Sequence, residues 1–387
     1  MSKKNNGFLY ELCIFCFNFV SKIMRQKPHL QGKENLQNLP GPVIFTVTHD
    51  SYFEIPSLSK VYYSLKPRPG FLIMGKDDFL SGNYLASNFG KKSRVLRSLF
   101  TLLDKTGLPE AFFRRMRLIT IHRPFIESYS RKKAVIRNEI GEKMSQFKTE
   151  LKDGMSTLIF PEGTTWGYGG LKRLRSGIYQ LVSGAYTNFK RKVYILPINV
   201  KVDRCVKGKK DIFIRVGKPE FFVRSAESFN HHLEKIIKGL HTITLSQIAS
   251  FYLRRLAELY DAGQAPLRIT RDDLRRELEA VVSKTASMVK GRRLPYMDEG
   301  LFDSHYLAKK TDAFIKFCLD KGYILKNSQG DTRITFIVNA KRILDMHSMK
   351  TFRKLNPLGF SANELLSLGE DKIRHLFDDV IKDIVPA

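Results

Sequence analysis

Short apolar runs, separated by polar, glycine-rich or proline-rich segments, recur along the first part of the chain. Runs of this length with little polar content are typical of strands that are buried on both faces of a parallel sheet. Six such runs predict strands over residues 43–47, 71–74, 118–123, 157–160, 193–198 and 212–216.

Segments with the spacing of amphipathic helices lie between these runs. Between residues 130 and 152 the apolar side chains recur mostly at intervals of three or four, which predicts a crossover helix. Further helices are predicted over residues 52–65 and 226–260, whereas the polar residues 25–40 read as a connector. The alternation predicts an α/β fold with a mostly parallel central sheet flanked by helices.

Residues 8–24 are almost wholly apolar, and three of their four strongly polar members, Glu11, Asn18 and Lys22 but not Ser21, fall on one narrow stripe of a predicted helix. A helix of this length spans about 25 Å, which is less than the roughly 30 Å of a bilayer's hydrocarbon core. Two interpretations stay open: an interfacial helix in the head-group layer, or a helix packed on the protein's own core.

The chain beyond residue 245 has no motif with an evident chemistry. Helices are predicted near residues 271–284 and 313–319, and two apolar runs around a polar turn at 327–330 predict a hairpin. The sequence therefore divides into an N-terminal membrane-associating helix (1–30), an α/β domain (31–245) and a smaller, mainly helical C-terminal domain with a hairpin (246–387).

The charge balance narrows the range of partners. The chain has 66 Lys and Arg against 38 Asp and Glu, a net charge of +28, and its 43% hydrophobic content is that of a folded protein. A charge of this size indicates an anionic partner, namely acidic lipids, a phosphorylated substrate or nucleic acid. The four cysteines form no disulfide framework, which favours a reducing compartment.

Residues with catalytic potential follow three of the predicted strands. His49 follows the first, with Thr48 as a candidate helix cap and Glu54 five residues on, whereas Arg123 ends the third and Glu162 follows the fourth. A carboxylate that holds one imidazole nitrogen leaves the other as a general base. A capping His and an exposed Glu would explain the pair alone, but convergence at one sheet edge favours an active site.

Four segments resemble, in order and spacing, the four motifs of the glycerolipid acyltransferase superfamily. They are HDSYFE at 49–54, ITIHR at 119–123, FPEGT at 160–164 and YILPI at 194–198. The third is fairly specific, and the set of four in order is more specific than any one alone. The resemblance makes residues 31–245 an acyltransferase domain.

The resemblance implies an O-acyltransferase that moves a fatty acyl group from acyl-CoA or acyl carrier protein to a hydroxyl of a glycerol-phosphate or lysophospholipid acceptor. His49 would be the general base and Glu54 its orienting carboxylate, and Glu162, Gly163 and Thr164 would shape the acceptor site. No metal and no cofactor beyond the acyl co-substrate is expected.

Two positions depart from the family pattern. Glu54 stands where the family usually has Asp, and Thr165 stands where it usually has an Arg associated with the acceptor's phosphate. Four basic residues are candidates to supply that charge in substrate binding: Arg123, Lys172, Arg173 and Arg175.

The expected partners are a membrane surface with anionic lipids, the acceptor lipid and an acyl carrier protein as a further candidate, with the chain peripheral or monotopic on the cytoplasmic face. Two alternatives stay open. One is a nucleic-acid-binding protein with a C-terminal winged module, which is disfavoured because the basic surplus lies in the motif-bearing domain. The other is an inactive lipid-binding member of the family, given Glu54 and Thr165.

Overall fold

A computed structural model describes residues 7–49, 51, 53–75, 82–83, 86–87, 94–107, 110–111, 114, 118–120, 133–163, 167–259, 267–327, 334–349 and 351–381. Its largest sheet contains seven strands: β1 (Gln26–Gln31), β2 (Val43–Val47), β3 (Phe71–Gly75), β4 (Leu118–Thr120), β5 (Ser156–Ile159), β6 (Tyr194–Val202) and β7 (Lys210–Val216).

The strands of this sheet are ordered β1-β7-β6-β2-β5-β3-β4. All neighbours are parallel except β6 and β7, which pair antiparallel. The predicted mostly parallel sheet is therefore confirmed. Strand β2 lies between β5 and β6, and all five of its side chains are buried, as its uninterrupted apolar sequence predicts.

The prediction of a connector over residues 25–40 is wrong at its start, because Gln26–Gln31 forms edge strand β1 beside β7. Its polar composition is common at a sheet edge, where one row of backbone groups faces away from the sheet. Pro28 is tolerated there because only one side of the strand pairs. The domain boundaries remain predictions.

The helices are α1 (Gly7–Ile23), α2 (Ser59–Ser64), α3 (Arg94–Lys105), α4 (Lys133–Lys152), α5 (Gly177–Phe189), α6 (Ala226–Gly239), α7 (Leu245–Leu259), α8 (Arg271–Lys290), α9 (Ser304–Lys321), α10 (Ala340–Ile343), α11 (Phe352–Leu355), α12 (Pro357–Leu366) and α13 (Glu370–Ile381). The helix predicted over 52–65 is a 3-10 turn, Ile55–Leu58, followed by α2. The helix predicted over 226–260 is two helices, with the short strand β8 (Thr242–Ile243) between them.

The predicted C-terminal hairpin is confirmed. Strands β11 (Ile324–Asn327) and β12 (Thr335–Val338) pair antiparallel, and β9 (Arg268–Thr270) adds a third strand on the other side of β12. A further short strand, β10 (Tyr296–Met297), pairs with β8. A hydrophobic core around this sheet includes Cys205 and Val206, which follow β6, together with residues between Ile243 and Phe377.

Helix α1 has two different sides. Tyr10 and Ile14 are buried against the rest of the protein, whereas several large apolar side chains are exposed, namely Leu12, Phe15, Phe17, Phe19, Val20 and Ile23. The helix thus packs on the protein with one side and presents apolar surface with the other. Within the described ranges, no helix has the length and apolar content needed to cross a bilayer.

A buried ion cluster joins α9 to the edge of the central sheet. The ammonium of Lys310 contacts the carboxylates of Asp203 and Asp211, and Asp211 also lies 2.6 Å from Nε2 of His29 on β1. Burial alone would lower the pKa of Lys310, but the two carboxylates raise it above its ordinary value. Burial would raise the pKa of Asp211, but His29 and Lys310 lower it to about 2. Lys310 and Asp211 are therefore both ionised at neutral pH.

We expect Lys310→Met to lower the free energy of unfolding by about 3–5 kcal/mol, because it leaves two buried carboxylates without their cation. The matched control is Lys207→Met, since the Lys207–Asp320 pair is more than half exposed and such pairs contribute about 0–1 kcal/mol. Urea unfolding measures both. Equal losses in the two variants would contradict the role of the cluster.

Candidate active site

Two polar residues meet where adjacent parallel strands end. His49 follows β2 and Glu162 follows β5, and the two strands pair with Thr46 opposite Ile159. The carboxyl ends of neighbouring parallel strands lie at the same edge of the sheet, where α/β folds bind their ligands. The convergence predicted for His49 and Glu162 is therefore present.

The imidazole of His49 contacts the carboxylate of Glu54, with Nδ1 3.2 Å from Oε1. Both residues are buried, Glu54 completely. Oε1 of Glu54 also accepts from the backbone N–H of Ser51 at 2.8 Å, and Oε2 accepts from the Ser51 hydroxyl at 2.6 Å. These hydrogen bonds satisfy a buried carboxylate and fix its direction, as a buried charge requires.

Phe160 packs against one face of the His49 imidazole. Its ring lies 4.2 Å from that of His49, centroid to centroid, with 29° between the planes. Phe160 directly follows β5, so the FPEGT segment supplies both a ring against His49 and the carboxylate of Glu162. The imidazole is held by Glu54 at one nitrogen and by an aromatic face.

Glu162 is buried, and its carboxylate is bound by backbone groups. Oε1 accepts from the N–H of His49 at 3.3 Å and Oε2 from the N–H of Lys172 at 2.9 Å. Gly163 follows with φ +70°, a left-handed conformation that favours glycine, and its N–H donates to the carbonyl of Phe160 at 3.0 Å. The turn therefore aims Glu162 back toward the end of β2.

The basic loop lies beside this turn. Lys172 is half-buried and bonds to Glu162 through its backbone, whereas Arg173 and Arg175 are exposed. The N–H of Arg175 donates to the carbonyl of Pro161 at 2.9 Å. The predicted site residues Arg123 and Thr164 lie outside the described residues, as does Thr165.

Thr48 has a different role from the predicted helix cap. Its hydroxyl accepts from the N–H of Val200 at 2.8 Å, and its own N–H donates to the carbonyl of Ile198 at 3.0 Å. Thr48 thus extends the pairing of β2 with β6 beyond the last residue of β2. The backbone reaches His49 in a fixed, extended path.

A cleft in front of His49 contains residues that the sequence did not single out. Asn199 and Lys201 come from the central sheet, Lys238 from α6, His241 from the turn after α6, and Ser367 and Leu368 from the C-terminal region. Asn199 and Lys201 alternate with apolar residues near the end of β6, so they share one face of the sheet. The sequence signal that could have identified Asn199 and Lys201 as cleft residues is their alternate spacing in an otherwise apolar strand.

A buried ion pair and a buried imidazole contribute to the electrostatics of this cleft. Nζ of Lys201 lies 2.6 Å from Oε1 of Glu364 on α12, and both side chains are buried. Burial, with the charge of Lys201 as a smaller cause, lowers the pKa of His241 to about 3. Nε2 of His241 lies 3.0 Å from Oε1 of Gln247. The imidazole of His241 is therefore neutral at physiological pH.

Residues 27–201 match the family model described as Acyltransferase. This range includes all four segments that carry the sequence resemblance, which is thereby confirmed. A solved structure that resembles the chain is that of the 1-acyl-sn-glycerophosphate (LPA) acyltransferase PlsC from Thermotoga maritima, with 14% identity and a TM-score of 0.37. The match covers 60% of this chain and 78% of that one. No curated protein matches the chain.

The pKa of His241 predicts a pH dependence of stability. Between pH 6.5 and about 3 the unfolded chain binds a proton that the folded protein does not, so the free energy of unfolding falls as the pH is lowered. One proton corresponds to about 1.4 kcal/mol per pH unit. We expect His241→Gln to lose less stability than the wild type between pH 6.5 and about 5 in urea titrations. Parallel pH profiles for the two proteins would show that His241 does not titrate in this way.

Proposed function

We propose that this chain, whose residues 27–201 match the acyltransferase family model, transfers a fatty acyl group from a thioester carrier to a hydroxyl of a lipid acceptor. The carrier is acyl-CoA or acyl carrier protein, and the acceptor is a glycerol-phosphate or a lysophospholipid. The observation that carries the proposal is the buried His49–Glu54 contact of 3.2 Å at the carboxyl edge of the sheet.

In the proposed reaction His49 acts as the general base. Because Nδ1 faces Glu54, the proton of the acceptor hydroxyl goes to Nε2 as the oxygen attacks the thioester carbonyl. The new C–O bond forms, the C–S bond breaks, and the imidazolium returns its proton to the thiolate that leaves. General-base assistance of this kind typically contributes about 10²–10⁴-fold.

Glu54 acts on the imidazole and not on the substrate. Its carboxylate keeps the proton of the neutral ring on Nδ1 and stabilises the imidazolium that forms during the transfer. The hydroxyl of Ser51 donates to Glu54, so Ser51 positions the carboxylate. We therefore expect direct transfer without an acyl-enzyme.

The acceptor would be held near the turn after β5. Glu162, Gly163 and Thr164 shape this part of the site, and four basic residues are the proposed contacts for anionic groups of acceptor and carrier: Arg123, Lys172, Arg173 and Arg175. The support for this step is the bond from the backbone of Lys172 to Glu162, which brings the basic loop next to His49.

Two apolar surfaces support a membrane location. The exposed side of α1 carries large apolar residues, and α3 exposes Leu99 and Leu102 together with Arg97 and Lys105. Apolar side chains beside basic ones are suited to a bilayer with anionic lipids. We propose peripheral or monotopic binding at the cytoplasmic face, where both substrates can reach His49.

The nucleic-acid alternative has weaker support. Two arginines of the C-terminal region, Arg271 and Arg275 of α8, bind Asp312 at 2.8 Å and 2.6 Å. Arginines that are paired within the protein contribute less to a basic surface for phosphates. The alternative of an inactive lipid-binding member differs from the proposal in one observable, the turnover of the thioester.

We expect His49→Ala to lower thioester-dependent acylation of lysolipids in vesicles by about 10²-fold or more, because the general base is lost. The matched control is His305→Ala, an exposed histidine on α9, which should keep wild-type turnover. Vesicle co-sedimentation checks that both variants still bind lipid. Unchanged turnover in His49→Ala would remove His49 from the mechanism.

Substitution of Glu54 tests the carboxylate separately. Glu54→Asp keeps the charge and should keep most of the turnover, whereas Glu54→Gln should lose it by about tenfold or more, because an amide does not stabilise the imidazolium. The turnover number, measured at saturating acceptor, compares the two variants. A fully active Glu54→Gln protein would show that the pair is structural.

A further inference from the structure

The C-terminal region forms one side of the His49 cleft. Asn363 on α12 donates to the carbonyl of Tyr168 at 2.7 Å, in the glycine-rich loop that follows the FPEGT turn. Gly169 in that loop has φ +92°, and a Cβ there would lie 2.4 Å from the carbonyl oxygen of Phe360. The loop and α12 therefore approach closely, which brings Ser367 and Leu368 to the cleft.

Lys201 of β6 lines the same cleft as His49. The pairing of β2 with β6 sets Val47 opposite Ile198, and Thr48 continues it to Val200. Lys201 is the next residue along β6, and its side chain lies on the same face as that of Asn199. The ammonium group of Lys201 thus lies in the same cleft as the proposed base, His49.

Glu364 is the counter-ion of that ammonium. The 2.6 Å contact joins α12 to β6 at the cleft, and a buried ion pair of this kind adds little to stability compared with apolar packing. A buried cation beside a reaction centre is more often a functional group than one elsewhere in a core. Lys238, the other lysine of the cleft, makes a 2.8 Å pair with Glu234 on its own helix.

The chemistry of the proposed acceptor explains why a cation near His49 would be useful. In a glycerol-phosphate or lysophospholipid the phosphate lies only a few bonds from the hydroxyl, so the group that binds it must share a cleft with the base. A phosphate attracts an ammonium more strongly than a single carboxylate does. Oδ1 of Asn199 in the same cleft is a buried acceptor atom that has no hydrogen-bond partner among the described residues, so the cleft also offers a polar contact to a bound ligand.

We propose that Lys201 determines acceptor specificity by binding the phosphate of the acceptor lipid, and that Glu364 of the C-terminal region competes with this phosphate for the ammonium. The proposal rests on the acyl transfer proposed above and adds a function for the C-terminal region. It predicts opposite effects when the two partners are replaced. Loss of Lys201 removes the cation that binds the phosphate, whereas loss of the Glu364 charge removes the anion that competes with the phosphate.

The test compares lysophosphatidic acid with monoacylglycerol of the same acyl chain, which differ in the phosphate. We expect Lys201→Met to raise KM for the phosphorylated acceptor by about tenfold or more and to leave KM for the neutral one nearly unchanged. Glu364→Gln should lower KM for the phosphorylated acceptor. Lys201→Arg keeps the charge and should keep the preference.

The double variant Lys201→Met/Glu364→Gln removes both charges of the pair and serves as the folding control. It should unfold at nearly the wild-type temperature and show no preference between the two acceptors. The proposal would be overturned if Lys201→Met and Glu364→Gln changed KM in the same direction and by the same factor for lysophosphatidic acid and monoacylglycerol. The pair would then be structural.

Failure of the proposed acyl transfer can be distinguished from failure of the proposal for Lys201. If the wild type turns over neither acceptor with any thioester, the acyl transfer is wrong. Equilibrium binding of the same two lipids in detergent micelles, without a donor, then tests Lys201 directly. A wild-type preference for the phosphorylated lipid that Lys201→Met abolishes supports the proposal, and equal binding by the two proteins overturns it.

Discussion

The carboxylate of Glu162 joins three segments of the chain at the edge of the central sheet. It extends from the turn after β5 and accepts from the backbone of His49 after β2 and of Lys172 in the basic loop. A buried carboxylate must be compensated by donors, so these two backbone groups cannot move far from each other. The position of His49 depends on this constraint, because its backbone is tied across two adjacent strands.

The side chain of His49 is set by more local contacts. Glu54 holds Nδ1, Ser51 holds Glu54, and Phe160 packs on the ring. Preorganised groups of this kind need little rearrangement when charge develops on the imidazole. The C-terminal region adds further contacts: through Asn363 it binds the glycine-rich loop, and through Glu364 it binds β6. The cleft is thus built jointly by the sheet and by helices far along the chain.

The sequence predicts the parts of this arrangement that depend on local pattern. Strands β2 and β5 are short apolar runs, which is the sequence pattern of strands that are buried on both faces of a parallel sheet. The His49–Glu54 contact spans five residues and could be proposed from spacing. Strand β1 was missed because an edge strand can be polar.

The rest depends on contacts between distant residues. Lys201 and Glu364 are 163 positions apart, and no periodicity links them. The break between α6 and α7 follows from the pairing of β8 with β10, which joins residues 242–243 to 296–297. Such pairings are decided by tertiary packing, which is why the cleft's second side could not be read from the sequence.

The central claim is direct transfer of an acyl group from a thioester to a lipid hydroxyl with His49 as base. Mass spectrometry after incubation of the purified protein with an isotope-labelled acyl thioester and a mixed lysolipid pool tests it most directly. The account predicts labelled acyl groups in ester linkage on one class of acceptor and none on the protein. Absence of labelled lipid, or label bound covalently to the protein, would contradict it.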